Sequence, residues 1–427
     1  MSNNNFVNSN KLISYKPIFA NLSLTKFVGI VFIIFACIPW VNFGLNRMDS
    51  QPWSFLLALS FLLLISQKIT IPKNGTLMLL LVIIGLVVTI SLTNSIIAFD
   101  VGRALVQYLT IPIMYIAFYN FFIRYEFPLK LFIFMNLVWI FFGFMEIFFF
   151  DFVNAISHTR TDYELRGVTS LASEPTFFGI YLFFSSWILI ESNNFTMDKK
   201  IKMLLLANFL VVAFFAKASM VILFYIIVFS LILLRKIISF LLGVKISINN
   251  IITYIFYFLL IFISFNFFQQ ILQGSRVEQL ITKINIDNSI LEIIVSDHSI
   301  NSRTEAVFFS VIGTFDNYLI PGGLDSFIDV RRSMLEEYKV SEFFFNRSES
   351  NKIMSWLGSI LYELGIFGLF LVIIIFKSIY KSFGGSLFYY GAFLVILLSA
   401  VPVAFPLVPM LFALIVYNKK KQELDNI

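Results

Sequence analysis

The stretch Arg166-Gly167-Val168-Thr169-Ser170-Leu171-Ala172-Ser173-Glu174-Pro175-Thr176-Phe177-Phe178-Gly179 is where charge, turn chemistry and entry into a membrane meet. An arginine and a glycine lead into a short polar run, and Glu174-Pro175 then open an apolar segment that reaches Ile190. Proline at a first helical position gives up only an N–H that has no partner there, so the pair reads as the start of a membrane helix. Glu174 then lies at the mouth of that helix, near the positive end of its dipole. Two readings stand side by side. The mouth is a plain helix start with an N-terminal acid and a solvated Arg166, or it is a polar site built at a membrane surface.

The surrounding chain decides the setting. It is 59% hydrophobic, 18% aromatic and 13% charged, with a mean hydropathy of +0.88, a balance that belongs to polytopic membrane proteins rather than soluble domains. The single cysteine, Cys37, lies in an apolar run and excludes an internal disulfide framework. The net charge of +6 comes mainly from short loops between apolar runs, which orients a membrane protein and leaves no nucleic-acid footprint. No cleavable signal peptide is evident at the polar N-terminus.

Twelve runs approach the length of about 20 residues that a helix needs to cross a bilayer. They are Phe27–Leu45, Pro52–Ile69, Thr76–Ile97, Arg103–Phe122, Leu129–Phe152, Glu174–Ile190, Ile201–Ala216, Ala218–Leu234, Ile251–Phe268, Trp356–Phe376, Leu387–Val401 and Val403–Tyr417. Pro402, Pro406 and Pro409 leave the last two open to a second reading, as one re-entrant or irregular pair. The expected fold is thus an all-α polytopic membrane protein of about 12 transmembrane helices.

Lysine and arginine alternate between the loops. With a cytoplasmic N-terminus, the inner side receives Lys26, Lys68, Lys73, Arg124, Lys130, Lys199, Lys200, Lys202, Arg235, Lys236, Lys377 and Lys419–Lys421, while the short outer connections hold only Arg47, Arg103 and Lys217. The chain then divides into a cytoplasmic tail (1–26), nine spans (27–268), a large extracytoplasmic segment (269–355), three spans (356–417) and a second cytoplasmic tail (418–427). The large segment reads as a helical cap. Ser302 and Glu305 match a capping box, an apolar helical face follows, Pro321-Gly322-Gly323 make a turn, and a second helix is expected over Asp325–Lys339, with Arg331 and Arg332 opposite Glu336 and Glu337.

Charges inside membrane helices are costly and need a reason. Glu146, Glu174, Lys217 and Glu363 all fall on the outer side of the midplane, which argues for a hydrated cavity opening outward; Glu146 and Glu363 would equally serve as braces, each paired with an arginine. The outer segments also carry Arg160, Arg166, Arg276, Arg303, Arg331, Arg332 and Arg347. Guanidinium is a rigid fork of donors suited to phosphate oxygens, so such a set beside a membrane fits a phosphorylated lipid, although surface arginines also pair with headgroups and nearby acids. Arg303 is the most pointed, because on the first turn of a capped helix it would join free backbone N–H groups around one anion. His158 and His298 are the only histidines, with no ligand set around them at metal spacing, so neither a metal nor another cofactor is expected. No phosphate-binding glycine-rich loop and no Gly-x-Ser-x-Gly elbow is present.

Taken together, these residues resemble a known family. Arg166-Gly167, Leu171 and Ser173-Glu174-Pro175 entering a membrane helix are similar to the signature of bacterial polysaccharide repeat-unit polymerases, the Wzy-type O-antigen polymerases, with Thr176 where serine is common. Ser302-Arg303, Pro321-Gly322-Gly323 and Glu363-Leu364-Gly365-Ile366-Phe367-Gly368 resemble the arginine, turn and Glu-Leu-Gly-Ile-x-Gly helix of the polymerase and ligase region. The resemblance implies a GT-C-like, metal-independent glycosyltransferase of a bacterial inner membrane. Its donor and acceptor would both be glycans on undecaprenyl diphosphate, with membrane lipid around it and a chain-length regulator protein as a possible partner. In that chemistry Arg166 and Arg303 would stabilise the departing diphosphate, and Glu174 or His298 would take the acceptor's proton. Arg160, Arg276, Arg331, Arg347, Glu363 and Lys217 would contact substrate. Ligases of the family carry a histidine shortly before the Glu-x-Gly helix; Met354-Ser355 stands there, which favours the polymerase over a ligase. A flippase would be expected to show charged sites at the midplane and short outer loops, the opposite of this chain.

Overall fold

Several helices in this chain begin or end at a proline or a capping side chain. The computed structural model describes residues 23–41, 51–93, 98–157, 167–193, 198–241, 298–324, 326–338, 344, 353, 355–380, 387–399 and 401–425. Ser23 opens α1 (Leu24–Cys37) by accepting the Lys26 N–H. That helix stops short of Leu45 because Ile38 precedes Pro39, and a residue before proline is pushed out of helical geometry. There follow α2 (Trp53–Leu64), α3 (Gly75–Leu92), α4 (Ala98–Tyr125), α5 (Leu129–Phe148), the short α6 (Phe150–Ser157), α7 (Pro175–Ser192), α8 (Lys199–Leu210) and α9 (Ser219–Leu241). The second half is α10 (His298–Asp316), α11 (Phe327–Glu337), α12 (Trp356–Tyr380), α13 (Leu387–Leu398) and α14 (Leu407–Asp425).

Each apolar run except Ile251–Phe268, which lies outside the described residues, coincides with a helix. Among the described residues there is no strand, and four segments are long and apolar enough to cross a membrane: Gly75–Leu92, Val101–Tyr125, Leu129–Phe148 and Trp356–Tyr380. The last two runs form separate helices. Pro402 and Pro406 occupy the irregular connector, and Pro409 falls in the first turn of α14, where its missing N–H would be an orphan anyway.

The core is apolar, and much of the outer surface is apolar as well. Leu80, Ile84 and Val87 on α3, Phe134, Leu137 and Phe141 on α5, and Met203 and Leu206 on α8 are exposed, while Asn120, Asn136, Glu146 and Asn208 are buried. Such a surface is stable only against lipid, and the chain is a helical membrane protein. At its centre, α7 is buried on nearly every side between α5, α8, α9 and α14, and α14 in turn packs along α4. Inside this core Asn136 donates to Asn208 at 2.8 Å, Ser185 donates to Asn136 at 2.6 Å, and Asn208 donates to Ser186 at 2.9 Å. Bonds of this kind between membrane helices contribute about 0.6 kcal/mol each on average.

Basic residues gather at one end of the bundle. Lys26 lies over the Tyr125 ring at 5.9 Å, Lys420 over Tyr119 at 6.0 Å, and Arg124 donates to the Lys68 carbonyl. Asn418 joins the same end of α7 by donating to the Glu191 carbonyl at 2.9 Å. The opposite end holds the first turn of α7 and, packed on α12, the α10–α11 hairpin.

One helix is broken. Within α12, Gly365 takes φ 56° and ψ −130°, so the ladder is interrupted two residues after Glu363. The loop between α10 and α11 fills the gap: Ile366 N–H donates to the Leu319 carbonyl at 2.7 Å, and Gly322 N–H donates to the Tyr362 carbonyl at 2.9 Å. Backbone groups freed inside a membrane protein must find such partners.

Candidate functional site

At the end opposite the lysines, the segment Gly167–Glu174 leads into α7. The last carbonyls of a helix have no intrahelical donor, and Val168 N–H takes one of them, the Phe215 carbonyl, at 2.9 Å. That carbonyl belongs to a π-helical turn, Val211–Ala216, which continues α8 and ends at Lys217 in the left-handed conformation. A Cβ on Gly167 would collide with the Phe215 and Ala216 carbonyl oxygens, so the glycine is required by close approach. Lys217 is therefore brought beside the start of this segment, with its side chain exposed.

Glu146 holds the middle of the segment. Its carboxylate accepts the Thr169 N–H at 2.7 Å, the Ser170 N–H at 2.5 Å and the Thr169 hydroxyl at 3.0 Å. Ser170 is left-handed, with φ 56°, a conformation that costs about 1–3 kcal/mol in a residue with a side chain. The Ser170 hydroxyl also donates to the Trp139 carbonyl at 2.6 Å. Glu146 thus braces a backbone, and among the described residues no arginine bridges to it: four donors, counting Ser170 against Trp139, fix the loop that ends at Glu174.

Glu174 is the N-cap of α7. It is half-buried with extended backbone, its side chain makes no capping bond, and Pro175 follows at the first helical position as the sequence implied. Thr176 comes next, and its hydroxyl oxygen accepts a bond from Arg303 Nη2 at 3.3 Å. Arg303 is buried on α10, 127 positions away in the chain. A guanidinium and a helix N-terminus therefore share one location, an arrangement that anions prefer, with the acidic residue Glu174 next to it in the chain.

Arg303 does not reach that place from a first helical turn. The helix starts upstream at His298, so Ser302 and Glu305 lie in its second turn and beyond and form no capping box. Glu305 is buried and faces Arg331 of α11, with Arg331 Nε 3.6 Å from Glu305 Oε1. Arg331 thus turns toward α10 instead of Glu336 and Glu337, since positions five and six ahead on a helix do not share its face. α11 covers Phe327–Glu337, inside the expected Asp325–Lys339.

Glu363 occupies a second polar place. Its Oε2 accepts the Tyr108 hydroxyl at 2.6 Å, and its carbonyl accepts the Thr89 hydroxyl at 2.5 Å. The Tyr108 hydroxyl also lies 3.3 Å from the Ser359 carbonyl. Three helices, α3, α4 and α12, are tied together one residue pair before the break at Gly365. The turn Pro321-Gly322-Gly323 is packed against this break, with Gly322 under the Tyr362 ring, where a Cβ would lie 2.5 Å from the ring carbon Cζ. Two of the motif pieces quoted from the sequence are thus in direct contact.

The structure brings Arg303 to the α7 mouth and sets Lys217 beside Gly167, while Glu363 and Arg331 serve contacts of their own. His298 is the first residue of α10, five positions before Arg303. Arg160, Arg166, Arg276 and Arg347 lie outside the described residues, as does His158. Among the described residues no three His, Cys, Asp or Glu side chains gather as metal ligands would. Sequence reasoning missed Thr176 as the acceptor for Arg303 and Tyr108 as the partner of Glu363. An intramembrane acid flags itself by its charge; a tyrosine on an aromatic-rich helix gives no signal.

The chain matches no family model, no curated protein and no solved structure.

Proposed function

We propose that this chain is a membrane glycosyltransferase that joins lipid-linked glycan repeat units, with about 12 spans, a GT-C-like architecture and both termini in the cytoplasm of a bacterium. The observation that carries the reading is the bond from Arg303 to Thr176 at the first turn of α7, beside Glu174. It joins the two stretches whose residues resemble the polymerase signature.

The reaction proposed here moves a glycan from undecaprenyl diphosphate to a hydroxyl of the next lipid-linked unit. The bond between the anomeric carbon and the diphosphate oxygen breaks, and its electron pair leaves with the diphosphate. A fixed guanidinium and a helix N-terminus stabilise that growing negative charge, and they act most strongly where water is scarce. Arg303 fills this role, with Arg166 next to Gly167 as its partner and Lys217 as a further cation at the rim. The acceptor hydroxyl forms the new bond and gives its proton to a base, for which Glu174 is the carboxylate at the mouth and His298 the alternative on α10. The elongated glycan projects into the extracytoplasmic space on the acceptor's lipid, which stays in the leaflet together with the undecaprenyl diphosphate freed from the donor.

The test is surface-glycan analysis in cells whose own gene is deleted and replaced by variants. Arg303→Ala at normal protein level should leave single-repeat products, and Arg303→Lys should recover little, because ammonium lacks the fork geometry. Long chains from Arg303→Ala would overturn the assignment. Intact long chains that fail to reach lipid A would point to a ligase, and lipid-linked units accumulating in the cytoplasm would point to a flippase.

A further inference from the structure

The sequence leads one to expect an extracytoplasmic cap over residues 269–355, and within it the tip of the α10–α11 hairpin has the features of a segment in contact with lipid. Its direction comes first. A Cβ on Gly313 would lie 3.4 Å from the Tyr362 ring, and further along both helices the Leu319 carbonyl accepts the Ile366 N–H. α10 therefore runs alongside α12 in the same direction, away from the α7 mouth and toward the break. Depth follows from α3, which is among the segments able to cross a membrane. Leu324 N–H donates to Thr93, the residue just past α3, while Thr89 donates to the Glu363 carbonyl. Four residues of helix separate these levels, about 6 Å at 1.5 Å per residue. An interfacial segment dips about 5–10 Å into the boundary between headgroups and acyl chains.

The tip is also apolar on its outer side. Tyr318 is 87% exposed, Phe315 60% and Ile320 50%, and the backbone bond to Ile366 makes this patch continuous with exposed Ile366, Phe370 and Ile373 on α12. Its backbone N–H groups find their partners within the protein. Asn317, Tyr318, Leu319 and Ile320 donate their N–H groups to Gly313, Phe315, Thr314 and Asn317, and Pro321 has none to offer. Two adjacent residues, Tyr318 and Leu319, adopt left-handed geometry, φ 52° and 62°, to achieve this. Closures of this kind end many helices; here they leave none of the four N–H groups dependent on water, which a segment in contact with lipid requires. The two polar side chains at the tip are exposed but each has a partner within the protein: Asn317 donates to the Ile320 carbonyl at 2.9 Å, and Asp316 accepts the Tyr338 hydroxyl at 3.1 Å.

We propose that the α10–α11 tip is a membrane anchor, with Phe315, Tyr318 and Ile320 seated among the headgroups and upper acyl chains of the leaflet beside α12. Tyrosine favours this zone because its ring is apolar and its hydroxyl remains wet. The anchor fixes α10 at both ends, at Thr176 through Arg303 and in lipid through the tip. It does not depend on the proposed reaction.

Cys37 is the only cysteine and is buried, so single-site labelling is direct in a Cys37→Ala background. Nitroxide labels at Tyr318→Cys and Ile320→Cys, in the full chain reconstituted in phosphatidylglycerol and phosphatidylethanolamine vesicles, are compared with Phe370→Cys on α12 and Arg332→Cys on α11. Collisions with oxygen, which concentrates in lipid, should exceed those with a water-soluble nickel chelate at 318 and 320 as at 370, with the opposite ratio at 332. Nickel access at 318 and 320 equal to that at 332 would overturn the proposal. So would low access to both probes, which would mean that another copy or another part of the protein covers the tip. Phe315→Cys provides the same comparison if either tip variant fails to fold.

Discussion

Replacing Gly365 with alanine asks whether the break in α12 is obligatory. The φ of 56° and ψ of −130° belong to a region that residues with a side chain avoid, at a cost of about 1–3 kcal/mol. A Cβ there would lie 2.6 Å from Pro321 N and closer still to the Leu319 carbonyl oxygen. Both are backbone atoms, so no side chain can swing aside. Relief requires either overpacking, about 1–3 kcal/mol, or withdrawal of the loop with loss of the Ile366-to-Leu319 and Gly322-to-Tyr362 bonds at about 1 kcal/mol each. The combined cost is about 2–6 kcal/mol. Thermal unfolding in detergent, followed by the fluorescence of the five tryptophans, measures it. Gly102→Ala is the matched control, because a Cβ at that exposed helical position meets nothing within 4 Å and alanine gains about 0.5–1 kcal/mol there. Gly365→Ala should unfold well below the wild type and Gly102→Ala at or above it. If Gly365→Ala unfolds with the wild type, the helix tolerates continuity at that point and the docked loop is not what completes it.

Two further outcomes are expected. Glu146→Gln replaces a carboxylate that accepts three bonds with an amide that accepts through one oxygen, at about 1.5–3 kcal/mol per charged bond lost; chain extension should fall at least about tenfold at normal protein level, and unchanged glycan length on gels would remove the loop-positioning role. Arg331→Met leaves buried Glu305 without its guanidinium and should destabilise by about 3–5 kcal/mol, whereas Arg331→Met with Glu305→Leu should recover most of that loss; equal unfolding temperatures for single and double variants would contradict the brace.

The helices were legible because a long apolar run has few ways to satisfy its backbone in lipid, and composition alone reveals such runs. Their ends were less so: Pro39 cut α1 short of Leu45, although a proline so close to the end of the run was visible in advance. Ser302 and Glu305 had the spacing of a capping box, yet that spacing cannot say whether the helix has already begun, and here it had begun at His298. Trp356–Phe376 read as one continuous span because glycine is common in membrane helices; only the docking of Leu319 and Gly322 turns Gly365 into a break. The importance of the Gly167–Glu174 stretch was readable from its residue types. The agents that hold it, Glu146 and the carbonyl of Phe215, are tertiary partners that no local pattern names.

Chain order gives the break in α12 a consequence for biosynthesis. Leu319 and Gly322 leave the ribosome before Gly365, so the patch exists before the gap it closes. The second half of α12 never has to wait in lipid with open amide groups for a segment still unmade, and the hairpin acts as a built-in assembly factor for the helix that follows it.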